Sequence, residues 1–161
     1  MLLAVVIAVS LNLSCRAASS QEAKAGGIAP DFTLSDLEGN EFTLSQFKHD
    51  KNVLIVFGAT WCPYCVEEIP ELKKIYETFK DDKVKLMYID IQESPAKVGS
   101  FVKEKMIPYT VLLDTGGKVA SSYKVRGIPH QVVVDKKGKI YYEGPRPAGG
   151  LLPLVSELAK K

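Results

Sequence analysis

The sequence predicts an α/β domain with a central mixed sheet and helices on both faces, and three stretches carry the prediction. The unbroken apolar run Val53-Leu54-Ile55-Val56-Phe57 is the pattern of a strand covered on both sides. A helical stripe follows it, with Val66, Ile69, Leu72, Ile75, Tyr76 and Phe79 at spacings of three and four, and a second strand, Val84 to Ile89, comes next. Further on, Gln131-Val132-Val133-Val134 and Lys139-Ile140-Tyr141-Tyr142 flank Asp135-Lys136-Lys137-Gly138, a strong hairpin pattern, before a terminal helix from Leu151 to Lys160. Strand–helix–strand followed by hairpin–helix requires a sheet of mixed direction.

A chain of 161 residues suffices for one domain with a sizeable core. Its 46% hydrophobic and 25% charged fractions are those of an ordinary globular protein. The formal charge is +2, and the lysines are scattered among acids. Without a basic block, nucleic acid is not an expected partner, and Lys73-Lys74 or Lys136-Lys137 belong to a solvated surface.

Residues 2–13 carry no charge. A 12-residue helix spans ~18 Å, short of a ~30 Å hydrocarbon core, which suits the apolar part of an export signal. Leu2 follows Met1 directly, so the basic leader expected of such a signal either lies upstream of this start or is reduced to the N-terminal amine as the only positive charge. Ser14-Cys15 after Leu11-Asn12-Leu13 resembles a bacterial lipoprotein processing site, with Asn12 where that pattern carries Leu. Lipidation of Cys15, cleavage near Ala17-Ala18 and retention as an anchor all remain open, and all three put the domain outside the cytoplasm. The expected organisation is an export segment over 1–18, a small, polar tether over 19–28 and one domain over 29–161.

Phe32-Thr33-Leu34 and Glu41-Phe42-Thr43-Leu44 alternate around the turn-forming Asp36-Leu37-Glu38-Gly39-Asn40 and predict an N-terminal hairpin. Ser45 is the expected cap of a single helical turn through Phe47. Pro70 interrupts the long helix and is expected to kink it. Pro95 to Lys105 predicts a second helix, with Ser94 as cap and Pro95 in the first position. Tyr109 to Leu113 fits a short strand, and Val119 to Val125 fits a helix less clearly.

The chemistry lies in Trp61-Cys62-Pro63-Tyr64-Cys65, between the central strand and the long helix. At a helix start, unpaired N–H groups and the macrodipole favour a thiolate on Cys62. Cys65, one turn further in and less exposed, can reach back to displace a partner bound to Cys62. A CxxC can also be half of a zinc site, but no second Cys/His pair is present to complete four ligands. Neither a metal nor any other cofactor is expected beyond the redox-active pair.

These motifs together resemble the thioredoxin superfamily, and within it the extracytoplasmic TlpA/ResA-type thiol–disulfide oxidoreductases, a redoxin domain related to AhpC/TSA. The resemblance runs over about residues 29–160. It rests on Ala29-Pro30-Asp31-Phe32-Thr33-Leu34, Gly58 to Cys65, Glu68-Ile69-Pro70, Val125-Arg126-Gly127-Ile128-Pro129 and Asp135 to Ile140. It implies a thioredoxin fold with an extra N-terminal hairpin and a helix-containing insert before a cis-proline, Pro129. It further implies that Cys62 attacks, that Cys65 resolves and that Trp61 shields the pair, with Ile128 and Tyr64 on the partner-binding side.

Members of the group carry an acid where Glu68 stands. It returns to the Cys65 face of the helix, where a half-buried carboxylate of raised pKa can accept the Cys65 proton. The plainer account is that Glu67 and Glu68 decorate a helix's first turn. Cytoplasmic thioredoxins bury an Asp six residues before the first cysteine, and here that position is Val56. His130 is expected to be a partly exposed histidine without a catalytic part, with electrostatic tuning of the thiolate as the alternative. His49 is expected at the surface.

The implied activity is reduction of protein disulfides, with apocytochrome c thiols among the group's substrates and a membrane carrier of thiols as electron donor. A peroxiredoxin-like peroxidase is the first alternative, because the opening hairpin is common to both groups. Peroxiredoxins need a Pro and a Thr seven and three residues before the reactive cysteine, and for Cys65 those positions hold Gly58 and Cys62. A tethered, non-catalytic binding module is the third reading.

Overall fold

The computed structural model describes residues 26–161. The expected export segment 1–18 with the candidate lipidation residue Cys15, and residues 19–25 of the expected tether, lie outside the described residues.

Two short strands, β1 (Thr33–Ser35) and β2 (Glu41–Thr43), form the expected hairpin. Asp36 organises its turn: Oδ1 accepts from the Glu38 N–H at 2.9 Å and the Asn40 N–H at 2.8 Å. The helical turn that follows is a 3-10 turn over Leu44–Phe47, capped by Thr43 rather than Ser45. The Ser45 N–H donates to Asp31 Oδ1 at 2.9 Å, so Ser45 is already inside the turn and held by tertiary contact.

The main sheet contains β3 (Asn52–Gly58), β4 (Val84–Ile91), β5 (Thr110–Asp114), β6 (His130–Val134) and β7 (Ile140–Gly144). Its order is β5-β4-β3-β6-β7. The β3–β4 and β4–β5 pairs are parallel, whereas β6 runs antiparallel to β3 and β7 antiparallel to β6. β3 is central and every one of its residues is buried, as its unbroken apolar run predicts.

Helices α1 (Pro63–Phe79), α2 (Pro95–Glu104), α3 (Lys118–Ser122) and α4 (Leu151–Leu158) complete the domain. Alternate β3 side chains divide two cores. Leu54 and Val56 face Leu72 and Ile75 of α1, Val98 of α2 and Leu151 and Val155 of α4. Val53, Ile55 and Phe57 face α3 residues Val119 and Ala120, together with Tyr123 and the N-terminal Phe32. Helices therefore cover both faces. α2 and β5 form the insert between β4 and Pro129.

Ser94 caps α2 as expected, accepting from the Lys97 N–H at 3.4 Å. The ambiguous stretch 119–125 resolves into the short α3, entered through Gly117 at φ +66° and tied down by Asp114 Oδ2, which accepts from the Ala120 N–H at 2.8 Å. Residues 26–28, which composition groups with the tether, are bonded to the sheet. The Gly26 N–H donates to the Ile140 carbonyl at 2.9 Å, and Ile28 bridges Lys139.

Candidate active site

Cys62 is the N-cap residue of α1, with extended backbone, and Pro63 takes the first helical position. Its Sγ accepts the Cys65 N–H at 3.2 Å, and the Cys62 carbonyl accepts the Val66 N–H at 3.1 Å. The sulfur thus meets the positive end of the helix. Cys62 and Cys65 form a disulfide with a Cα–Cα separation of 5.2 Å.

The two cysteines differ hardly at all in exposure, at 3% and 2%. Cys65 is the less exposed of the two by a margin too small to set them apart in this oxidised state. Both cysteines are buried at the start of α1, and Cys62 Sγ lies 3.7 Å from the Ile128 carbonyl oxygen. The rings flanking the pair are open to solvent instead, Trp61 at 66% and Tyr64 at 69%.

The Ile128–Pro129 peptide is cis, and this loop leads directly into β6. A cleft of about 650 Å³ opens on the Tyr64 side of the loop, lined in part by Glu67, Glu68, Arg126, Pro129 and Arg146. A second, of about 580 Å³, opens on the Trp61 side, so Arg126, Gly127 and Ile128 form a ridge between the two.

Glu68 is buried on the inner face of α1, where it borders the first cleft. Burial pushes its carboxyl up to about 7, against the opposing hydrogen bond from Gln131 and the charge of Arg146. Gln131 Nε2 donates to both Glu68 oxygens, at 2.8 and 2.9 Å, while its own Oε1 is buried without a partner. Gln131 pairs with Val56 across β6–β3, so this amide and Glu68 supply the polar contact next to the position where thioredoxins bury Asp.

His130 is mostly buried, with Nε2 3.6 Å from Glu143 Oε1 and its ring 6.2 Å from that of Phe57. His49 is exposed at φ +70°.

Three further polar residues bear on the site and escaped sequence reasoning. The Thr60 N–H donates to Glu93 Oε2 at 2.5 Å and the Thr60 hydroxyl to Glu93 Oε1 at 2.9 Å. Asp90, at the end of β4, is buried beside Glu93. Nothing local in the sequence joins Glu93 to Thr60, because the contact bridges the ends of neighbouring strands. The only available cue was an acid just past a largely apolar strand that itself carries an acid, Asp90, near its end.

A cysteine pair at a helix start, opposed by a cis-proline on a mixed sheet, defines a thioredoxin-fold protein of the dithiol class. Residues 25–143 match the model of the AhpC/TSA family, and the chain belongs to that family. It is 35% identical over 91 residues to the thiol-disulfide oxidoreductase ResA of Bacillus thuringiensis, which covers 56% of this chain and 52% of that protein. To ResA of Bacillus subtilis it is 34% identical over 98 residues, 61% of this chain and 54% of the relative. The chain spans about half the length of the curated relatives it matches. Among solved structures, the thioredoxin domain of a thiol-disulfide oxidoreductase from Bacteroides vulgatus superposes with a TM-score of 0.77 at 30% identity. That superposition covers 86% of this chain and 99% of the other. A thiol:disulfide interchange protein from a Bacteroides species gives 0.75 at 28% identity, over 86% and 92%.

Proposed function

We propose that the chain is an extracytoplasmic thiol–disulfide oxidoreductase that reduces disulfides in other proteins through Cys62 and Cys65. The observation that carries this is the cysteine pair at the α1 N-terminus, facing cis-Pro129, with a buried carboxyl of raised pKa on the same helix. In the reduced form the Cys62 thiolate attacks one sulfur of a partner's disulfide. The partner's other sulfur leaves and takes up a proton. Cys65 then passes its proton to Glu68 and attacks Cys62 Sγ, which expels the partner's remaining sulfur as a thiolate that takes a proton from solvent and leaves Cys62–Cys65 oxidised. Gln131 orients Glu68, and Trp61, Tyr64, Ile128 and His130 form the surface that meets the partner.

The cycle needs no cofactor beyond the pair itself, and a membrane donor of thiols re-reduces it. Apocytochrome c awaiting haem is a fitting substrate, which places the reaction in cytochrome c maturation, on the periplasmic side or the outer face of a membrane. Lipid on Cys15 or a retained N-terminal segment would hold the domain there. Among the described residues no helix is long and apolar enough to cross a membrane.

The test is a Cys65→Ser variant exposed to periplasmic extract. A mixed disulfide through Cys62, released by dithiothreitol, is expected, and its absence where wild type reduces protein disulfides would overturn the role given to Cys62. The match to the AhpC/TSA model favours one alternative, a thiol peroxidase. Gly58 and Cys62 stand where that chemistry needs Pro and Thr, so hydrogen peroxide consumption without sulfenic acid build-up at the background rate is expected. A double Cys→Ser variant that still worked in the cell would instead favour a binding module.

A further inference from the structure

The approach to Cys62 is built from four residues, Gly58 to Trp61, and two of them are fixed from outside the loop. Gly58 ends β3 directly beneath Tyr88, where a Cβ would meet the phenol oxygen at 2.0 Å. Thr60 is gripped twice by Glu93, through its N–H and its hydroxyl. The Ala59 carbonyl between them accepts the Cys62 N–H at 3.2 Å. The position of Cys62 is therefore set through Thr60 by a side chain more than thirty residues away in sequence.

The grip has its own support. Gln92, just before Glu93, adopts φ +58°, a left-handed conformation uncommon outside glycine, and its N–H is held by the Asp114 carbonyl at 3.0 Å. This bend aims Glu93 back across the strand ends. Lys97 Nζ closes the outer side at 2.5 Å from Glu93 Oε1. On the inner side lies Asp90, 2% exposed and within hydrogen-bonding reach of Glu93, with Oδ1 buried and unpartnered.

We propose that Glu93 is a positioning residue for the reactive thiol, and that it acts as one half of a proton-sharing pair with Asp90. With the proton in place, neutral Asp90 donates to Glu93, and Glu93 keeps both oxygens on Thr60. When Asp90 loses that proton to solvent, two carboxylates face each other in a buried space and the grip on Thr60 loosens. The groups acting on Asp90 are Glu93 and Lys97 from the β4–α2 connection and α2, together with Tyr88 on its own strand. Its register partners, Gly58 on β3 and Leu113 on β5, carry no charge. Burial, the charge of Glu93 and the hydrogen bond to it raise the Asp90 carboxyl to about 8, against the pull of Lys97. Glu93 itself stays below the usual carboxylate range: burial acts against this, but hydrogen bonds from Lys97 and Thr60 prevail.

The link to reactivity rests on Cys62 being the attacking thiol, whereas the pair itself does not. The experiment follows the Thr60 amide resonance of the oxidised, isotope-labelled protein, whose cysteines do not titrate, between about pH 5 and about pH 9.5, alongside the alkylation rate of Cys62 in the reduced protein. In wild type the amide is expected to shift with an inflection well above the carboxylate range. In Asp90→Asn, which keeps the shape and cannot ionise, that inflection disappears, and the Cys62 rate follows thiol ionisation alone. Glu93→Ala slows alkylation roughly tenfold or more at a fixed thiolate fraction, and Glu93→Gln, which can still engage both Thr60 groups, restores it to within about threefold. A Thr60 amide indifferent to pH, an inflection that survives Asp90→Asn, or an unchanged rate in Glu93→Ala would each overturn the proposal. Should the inflection behave as expected while wild type fails to reduce any protein disulfide, the function proposed above fails and the pair stands.

Discussion

Glu68 buries a carboxyl that the fold holds protonated to unusually high pH, and this has a measurable cost. Its value rises from 4.5 to about 7 on folding. Below 4.5 both states carry the proton and the group contributes nothing. Between 4.5 and about 7 the unfolded chain releases the proton while the folded protein retains it, so stability falls as pH rises through that window and levels off above it. The loss amounts to at most roughly 3 kcal/mol. Glu68→Gln is expected to remove this component, which urea unfolding on either side of the window measures. The same variant should slow release of a trapped partner, since Cys65 loses its proton acceptor. Glu68 was legible in the sequence because the cue is local: three residues past Cys65 on a helix is the same face. Gln131 was not, because a glutamine at the head of an apolar strand looks like the strand's solvent end until the sheet order puts it against α1.

Among the elements, α1 and α4 are joined through one side chain. Gly150 stands at the α4 N-terminus and has no side chain to cap it, so Glu71 of α1 does the capping from across the fold. Its Oε1 accepts from the Leu151 N–H at 2.8 Å and the Leu152 N–H at 3.3 Å, and its Oε2 pairs with Arg146 at 2.7 Å. Glu71→Ala is expected to cost about 1 kcal/mol, as loss of a helix cap does, seen as a lower denaturation midpoint with unchanged slope. At the other end of the redox helix, Gly58→Ala drives a methyl into the Tyr88 ring and should cost about 1–3 kcal/mol by thermal unfolding. Strand and helix identities were legible because each follows the period of its own apolar residues. Caps were legible only where the capping residue lies next to its helix, as Ser94 does. Glu71 and Thr60's partner Glu93 act across the fold, and no window of sequence contains both halves of either contact.

Across the whole molecule, the order of apolar runs was enough to give a mixed sheet with two covered faces, and the cysteine motif located its reactive end. The route of the opening residues was not, since Gly26 to Ile28 have the composition of a linker and acquire their place only by bonding to residues 139–140. Those bonds fix a polarity. Ile140 pairs with Val134, and Val134 with Val53, at the start of β3, whereas Cys62 follows the strand's far end at Gly58. Seven residues of extended chain, roughly 20 Å, separate the two poles. Protein immobilised on beads through its N-terminus is accordingly expected to reduce a bulky protein disulfide about as fast as free protein, and a marked slowing would show that the poles are less separate than this. Whatever grips the leading end of the chain, be it lipid, peptide or glass, takes hold of the hull's stern, and the sulfurs ride at the bow.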